Sequence, residues 1–295
     1  MEETGFDKLG FYQLAIVYLC LGTGSLIAKP IMTLVGGPQR CMMIGSFLDA
    51  LWILASVSAA TGTFSDGFIF TVTSVTSVLA GFGEALQWVA QGKYVADCAC
   101  LQNKGFFFGY FWAFYMASQV FGSLLAAVVL QHSDLITFYL LMAVVAGASV
   151  VVFYFLKDPH PFEVKPQILT SINAESTAST REQAPIYEGQ LSDNLASSSR
   201  PRTTFAAQWE ITKQDSKVLL ELMISKRMRW VLPEIVWAGI SLAIYTGLLV
   251  PMISNTLEGR DNTEKLMKSM YAMVCLGVGE IVGSLAIGQV IDRYG

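Results

Sequence analysis

The chain has 295 residues, of which 53% are hydrophobic and 14% charged. A soluble domain of this length usually carries about 25% charged residues, so the composition points to a membrane protein. The net charge of −4 comes with no basic stripe interleaved with aromatics, which argues against a nucleic-acid partner. The five cysteines (Cys20, Cys41, Cys98, Cys100, Cys275) fall in or beside apolar runs, and His132 and His160 stand apart. Neither a disulfide framework nor a metal site is expected from that spacing, and no cofactor fingerprint is present. The acidic start, Met1 to Gly10, lacks the basic region of a signal peptide.

A helix that crosses a bilayer needs about 20 mostly apolar residues. Seven stretches qualify: 9–35, 41–61, 67–90, 106–130, 135–156, 230–253 and 266–291. Hydrocarbon offers no hydrogen-bond partners, so each should be helical. The fold class expected is an all-α membrane bundle of about seven transmembrane helices, in direct contact with the lipid bilayer. Short turns such as Gly36 to Arg40 and Gln131 to Asp134 link the first five spans and make neighbours antiparallel.

The chain divides at 157–229. Residues 1–156 form a first bundle of five spans, and 230–295 open a second bundle with two. The connection holds Pro159, Pro161, Pro166, Pro185 and Pro201 with Ser197, Ser198 and Ser199, a composition expected to leave its middle disordered. Its end, 215–229, places Val218, Leu219, Leu222 and Met223 on one face among Lys217, Lys226, Arg227 and Arg229, the pattern of an interfacial amphipathic helix. The connection carries ten of the nineteen Lys and Arg residues. With Arg40, Lys93 and Lys104 in turns on the same side, the positive-inside rule puts it in the cytoplasm of a multi-pass protein. Five spans before a cytoplasmic loop place Met1 outside, which suggests a helix missing upstream.

Three acids lie deep in these spans: Asp49, Glu84 and Glu280. An ionised side chain at the bilayer centre costs about 2.5–3.5 kcal/mol on insertion scales, so each should face the bundle interior. Glu84, Gln87 and Gln91 share a helix face, with Trp88 beside them. They form a candidate substrate or ion pathway, or alternatively an interhelical hydrogen-bond network that locks packing. Gly279 and Gly283, and Gly105, Gly109 and Gly122, are expected to be close-packing positions between helices. Lys29 sits near a span end, where it can snorkel to the surface.

The terminal run Gly288-Gln-Val-Ile-Asp292-Arg293-Tyr-Gly295 resembles the cytoplasmic loop motif of the major facilitator superfamily. A narrower resemblance lies in Gly81 to Tyr94, with Trp88, Gln91, Gly92 and Tyr94, and in Asn103 to Gly122, with Gly109, Trp112, Ser118 and Gly122. With Lys226-Arg227-Met228, Pro233 and Gly239, these runs are similar to the uncoordinated-ninety-three-like branch, also called ion channel regulatory proteins. The resemblance implies a facilitator-type bundle of six helices, a cytoplasmic loop and six more, seen without its first helix and its last four. It implies transport of a small solute or ion through a site between two halves. It also leaves open a non-transporting regulator or trafficking partner of a channel or receptor, or an incomplete gene product. No nucleophile–base constellation suggests an enzyme.

Overall fold

The computed structural model describes residues 9–99, 103–157, 159, 205–257 and 262–294. Those residues form ten helices and no strand. The first five are α1 (Leu9–Val35), α2 (Pro38–Thr61), α3 (Asp66–Cys98), α4 (Lys104–His132) and α5 (Leu135–Tyr154). After the long connection come α6 (Phe205–Ile224), α7 (Lys226–Arg229), α8 (Leu232–Gly247), α9 (Leu249–Thr256) and α10 (Asn262–Tyr294). Six helices are long and apolar enough to cross a membrane, and α8 with α9 makes a seventh span if the pair counts as one. The middle of the connection, Cys100, His160 and Gly295 lie outside the described residues.

The turns follow from residue chemistry. Gly36 and Gly37 both take positive φ (99° and 121°), a region that glycine enters without a Cβ clash, and Pro38 then starts α2 with its φ already helical. Asp134 caps α5 by accepting hydrogen bonds from the Thr137 backbone N–H and hydroxyl. Helix α3 runs past the apolar stretch at its C-terminal end, where the Lys93–Asp97 pair at i,i+4 (2.8 Å) supports the polar last turns.

Two elements differ from the sequence expectation. The amphipathic helix starts at Phe205 rather than Asp215 and stops at Ile224, because the Ser225 hydroxyl accepts from the Met228 N–H and starts a new short helix. Its Val218, Leu222 and Met223 side chains are exposed, as an interfacial face requires. The sixth span is broken, with α8 and α9 meeting at 46°. Pro251 is the cause: it lacks the N–H that would bond to the Gly247 carbonyl, and its ring crowds that carbonyl.

Packing is inverted relative to a soluble protein. Ala28, Cys41, Ala80, Ala85, Ala90 and Ala127 are fully buried, whereas Phe121 (71%) and Val144 (68%) are exposed. Lipid provides no hydrophobic drive between helices, so small residues that let backbones approach occupy the contacts. Helix α3 packs between α1 and α2, α5 packs on α2, and α10 packs along α4. A methyl at Gly81 would stand 2.6 Å from Val17 O and Cys20 Cβ, and one at Gly45 would stand 2.7 Å from Gly83 O.

The α4–α10 contact corrects the glycine expectation. A methyl at Gly109 would stand 2.9 Å from Ser284 O and 3.1 Å from Gly288 Cα. One at Gly288 would stand 3.0 Å from Gly105 O, and one at Gly277 would stand 2.7 Å from Val120 Cγ2. At Gly122, Gly279 and Gly283 it would meet nothing within 4 Å among the described residues. The seam on α10 is therefore Gly277, Ser284 and Gly288. Spacing alone did not say which face of α10 turns inward.

Candidate functional site

Helix α3 sets the site. At about 100° per residue, Gly81 and Ala85 share one side and Gly83 and Gln87 another, leaving Glu84, Trp88 and Gln91 in an arc of about 60° between them. The contacts follow this division. Gly81 meets Val17 and Cys20 of α1, and Ala85 approaches Gly24; Gly83 lies against Leu48 and Gly45 of α2. Gln87 belongs to the α2 side, packing on Gly45 and accepting a 3.4 Å hydrogen bond from the Ser46 hydroxyl. It thus serves the α2–α3 crossing, although it shares a helix face with Glu84. Gln91 is half-buried two turns beyond Glu84.

Glu84 and Trp88 meet α4 at Tyr115. The Trp88 ring stands edge-on to Tyr115 at 5.2 Å and tilted to Trp112 at 6.1 Å, and Trp112 and Tyr115 are 5.3 Å apart. The Tyr115 hydroxyl is within electrostatic reach of Glu84, Tyr18 and Glu280. The Tyr245 hydroxyl is within reach of Glu280, Tyr115 and Tyr18. Asp49 of α2 is within electrostatic reach of Glu84. Direct contacts join the helices that carry these groups in pairs: α3 meets α4 through Trp88 and Tyr115, α1 meets α8 through Tyr18 and Thr246, and α10 lies along α4 at Gly109 and Gly288.

A direct bond closes the group. The Thr246 hydroxyl donates to Leu242 O at 2.7 Å, so the Tyr18 hydroxyl is the donor in its 2.8 Å bond to Thr246 Oγ1. Thr246 is one residue from the end of α8, so α1 grips the sixth span where it bends. Just beyond the bend, Ser269 of α10 donates to Val250 O of α9 at 3.4 Å and to its own helix at Lys265 O.

Three buried polar atoms here have no hydrogen-bond partner among the described residues: Asp49 Oδ1, Glu280 Oε2 and Gln119 Nε2. Buried polar groups are normally paired, so such atoms call for an explanation. Among the described residues no set of three His, Cys, Asp or Glu side chains is arranged to hold a metal ion.

A second polar group lies at the other end of α3. The Gln39 amide donates to Phe153 O (3.1 Å) and Tyr154 O (2.7 Å), capping α5 from the α1–α2 turn. Tyr94 donates to Lys157 O at 2.8 Å, and Arg40 donates to Val35 O at 3.0 Å. Met32, Cys41, Met42 and Ala90 form the apolar core beneath. Tyr94, one of the motif residues, thus holds the point where the chain leaves α5. Of the others, Trp88 and Trp112 form the aromatic wall, Gly109 and Gly288 form the α4–α10 crossing, and methyls at Gly92 and Gly122 would meet open space. Asp292 and Arg293 lie in the last turn of α10.

Tyr18, Tyr115, Tyr245, Thr246 and Gln119 were not among the sequence candidates. Tyrosine concentrates at the membrane interface, so Tyr18 in mid-span was the available signal. The others needed the register between helices.

The chain's similarities to other proteins agree with this architecture. Residues 5–295 match the family model described as ion channel regulatory protein UNC-93. The chain is similar to UNC93-like protein MFSD11 of Xenopus tropicalis, 23% identical over all of this chain and 59% of that protein. The Xenopus laevis protein of the same name is 24% identical over 98% of this chain and 58% of its own length. UNC93-like protein 3 of Arabidopsis thaliana is 26% identical over 44% of this chain and 28% of that protein. The chain thus spans about three fifths of the two Xenopus relatives. No solved structure matches it. A helical bundle with six to seven membrane-spanning candidates, matched over nearly its whole length, places this chain in the UNC-93 family of ion channel regulatory proteins.

Proposed function

We propose that this protein moves a small solute or ion across a membrane through a pathway centred on Glu84, Tyr115, Tyr18, Tyr245 and Glu280. The observation that carries the reading is a set of mid-span acids, Glu280 with an unpaired buried oxygen, on helices joined by the Trp88–Tyr115 contact, the Tyr18–Thr246 bond and the α4–α10 seam. Acids are expensive in hydrocarbon, and side chains kept there usually mark a substrate or ion route. The broken sixth span beside them supports the same reading, because discontinuous helices commonly line midplane sites in transporters. Access to either side then comes from rocking of the 230–295 helices against the first five, with the α4–α10 seam as the sliding contact. The 157–229 connection faces the cytoplasm in this reading, and the Gln39 and Tyr94 bonds hold α5 where it leads into it.

The test is uptake into proteoliposomes holding the full-length protein, across a panel of ions and small solutes. The expected result is saturable uptake that Glu84→Gln lowers at least about tenfold. No flux with any candidate, and none altered by Glu84→Gln, would overturn the proposal.

A second reading is a regulator or trafficking partner of a channel or receptor, favoured by the description of the family. It predicts near-stoichiometric co-purification with another membrane protein and no dependence of that association on Glu84.

A further inference from the structure

We infer that the solute is an organic ammonium ion, held between the Trp88–Trp112–Tyr115 wall and the carboxyls of Glu84 and Glu280. The inference rests on the pathway reading and names the chemistry of the same site.

Charge is the first reason. Asp49, Glu84 and Glu280 take part in no ion pair among the described residues, whose bridges lie at Lys93–Asp97, Lys213–Glu210 and Lys268–Glu264. Two of the three acids carry a buried oxygen with no donor, Asp49 Oδ1 and Glu280 Oε2. Among the described residues, these acids thus gather acceptors with neither a paired cation nor a full set of donors. A cationic guest answers that deficit.

The kind of cation is set by the wall. A small hard cation takes about six or more oxygen ligands in a tight shell, and the described residues offer no group of three His, Cys, Asp or Glu for one. Three aromatic rings instead stand 5.2–6.1 Å from one another. Phe111 stacks on Tyr115 at 6.2 Å, and Trp112 and Tyr115 still keep about 40% of their surface exposed. Aromatic faces attract weakly hydrated cations through the ring quadrupole and favour ammonium groups with an apolar skin. Gln119 adds an unpaired buried donor one turn along α4 from Tyr115. A hydroxyl or carbonyl oxygen on the guest would satisfy it.

The experiment measures equilibrium binding of radiolabelled choline to the full-length protein in nanodiscs, with no gradient and no flux. Tetramethylammonium should displace it. The neutral isostere 3,3-dimethylbutan-1-ol and potassium ion should not. Trp88→Leu and Glu84→Gln should each weaken binding about 3- to 30-fold, whereas Trp88→Phe, which keeps a ring, should stay nearer to wild type. Trp112→Leu provides a second probe if Trp88→Leu does not give a monodisperse protein. Absence of saturable choline binding overturns the inference. So does equal displacement by the neutral isostere or by potassium, or unchanged binding in both leucine variants. Flux of another solute without choline binding removes the ammonium assignment and leaves the pathway. Choline binding without flux of any candidate supports the assignment and counts against transport.

Discussion

A single methyl group at the α4–α10 seam tests whether that contact holds the two parts of the chain together. Gly109→Ala would put a carbon 2.9 Å from Ser284 O and 3.1 Å from Gly288 Cα. Relaxed contacts between such atoms lie near 3.5–4.0 Å, so the helices must part by about 0.5–1 Å. Both neighbours are backbone atoms, and no rotamer change can make room. Overpacking of this kind costs about 1–3 kcal/mol, against roughly 1 kcal/mol that alanine gains over glycine in helix propensity. Gly122→Ala and Gly283→Ala carry the propensity gain alone, since a methyl there meets nothing within 4 Å. Gly109→Ala should therefore fall about 1–3 kcal/mol below these controls. Gly109→Ala with Gly288→Ala should cost less than the sum, because the first methyl has already separated the helices. Thermal unfolding in nanodiscs, followed by a thiol-reactive dye, reads the ranking. If Gly109→Ala is as stable as Gly122→Ala, the seam is not the contact described.

Gln39→Leu removes two donors from the α5 terminus and should cost about 1–3 kcal/mol, seen as faster proteolysis just after Tyr154. Pro251→Ala restores the missing N–H and should straighten the 46° bend, lengthening the distance between spin labels at positions 235 and 254. An unchanged distance would assign the bend to the contacts around Thr246 instead. Asp134 is held below the ordinary carboxylate range, first by the Thr137 hydroxyl bond. A depressed folded value means that the cap contributes stability above the ordinary carboxylate range and loses it as pH falls through the depressed value. Amide protection in the first turn of α5, with the intrinsic exchange rate at each pH divided out, should accordingly fall at low pH in wild type, and Asp134→Ala should remove that change in protection.

The spans were legible because their signal is local. Twenty apolar residues cannot rest in a bilayer except as a helix, and the first stretch, 9–35, matches α1 residue for residue. The site was half legible. Glu84, Asp49 and Glu280 announced themselves by the cost of placing an acid in hydrocarbon, which needs no knowledge of neighbours. Tyr115 and Tyr245 gave no such announcement, since a tyrosine in a span costs little and reads as packing, and Tyr18 offered its mid-span position alone. Their grouping depends on the rotation and register of five helices. The same dependence misled the glycine reading on α10. Gly279 and Gly283 have the spacing of a packing motif, but the seam runs through Gly277, Ser284 and Gly288.

The glycines and the acid on α3 form one device. An ionised Glu84 facing lipid would cost about 2.5–3.5 kcal/mol, and a helix free to rotate about its axis could expose it. Helix α3 is not free, because it is clasped on two sides. Gly81 admits the α1 backbone at Val17 and Gly45 of α2 admits the Gly83 carbonyl, both at distances where a methyl would clash, and Gly83 itself lies tight against Leu48. Turning Glu84 outward requires breaking both crossings at once. The space left between the clasps is the arc that holds Glu84, Trp88 and Gln91, and Tyr115 of α4 closes it. The run from Gly81 to Trp88 thus joins two requirements that look separate in the sequence: small residues where backbones touch, and a charge with an aromatic where they do not. A larger side chain at Gly81 or Gly83 would turn α3, and with it Glu84 and Trp88, without touching either side chain.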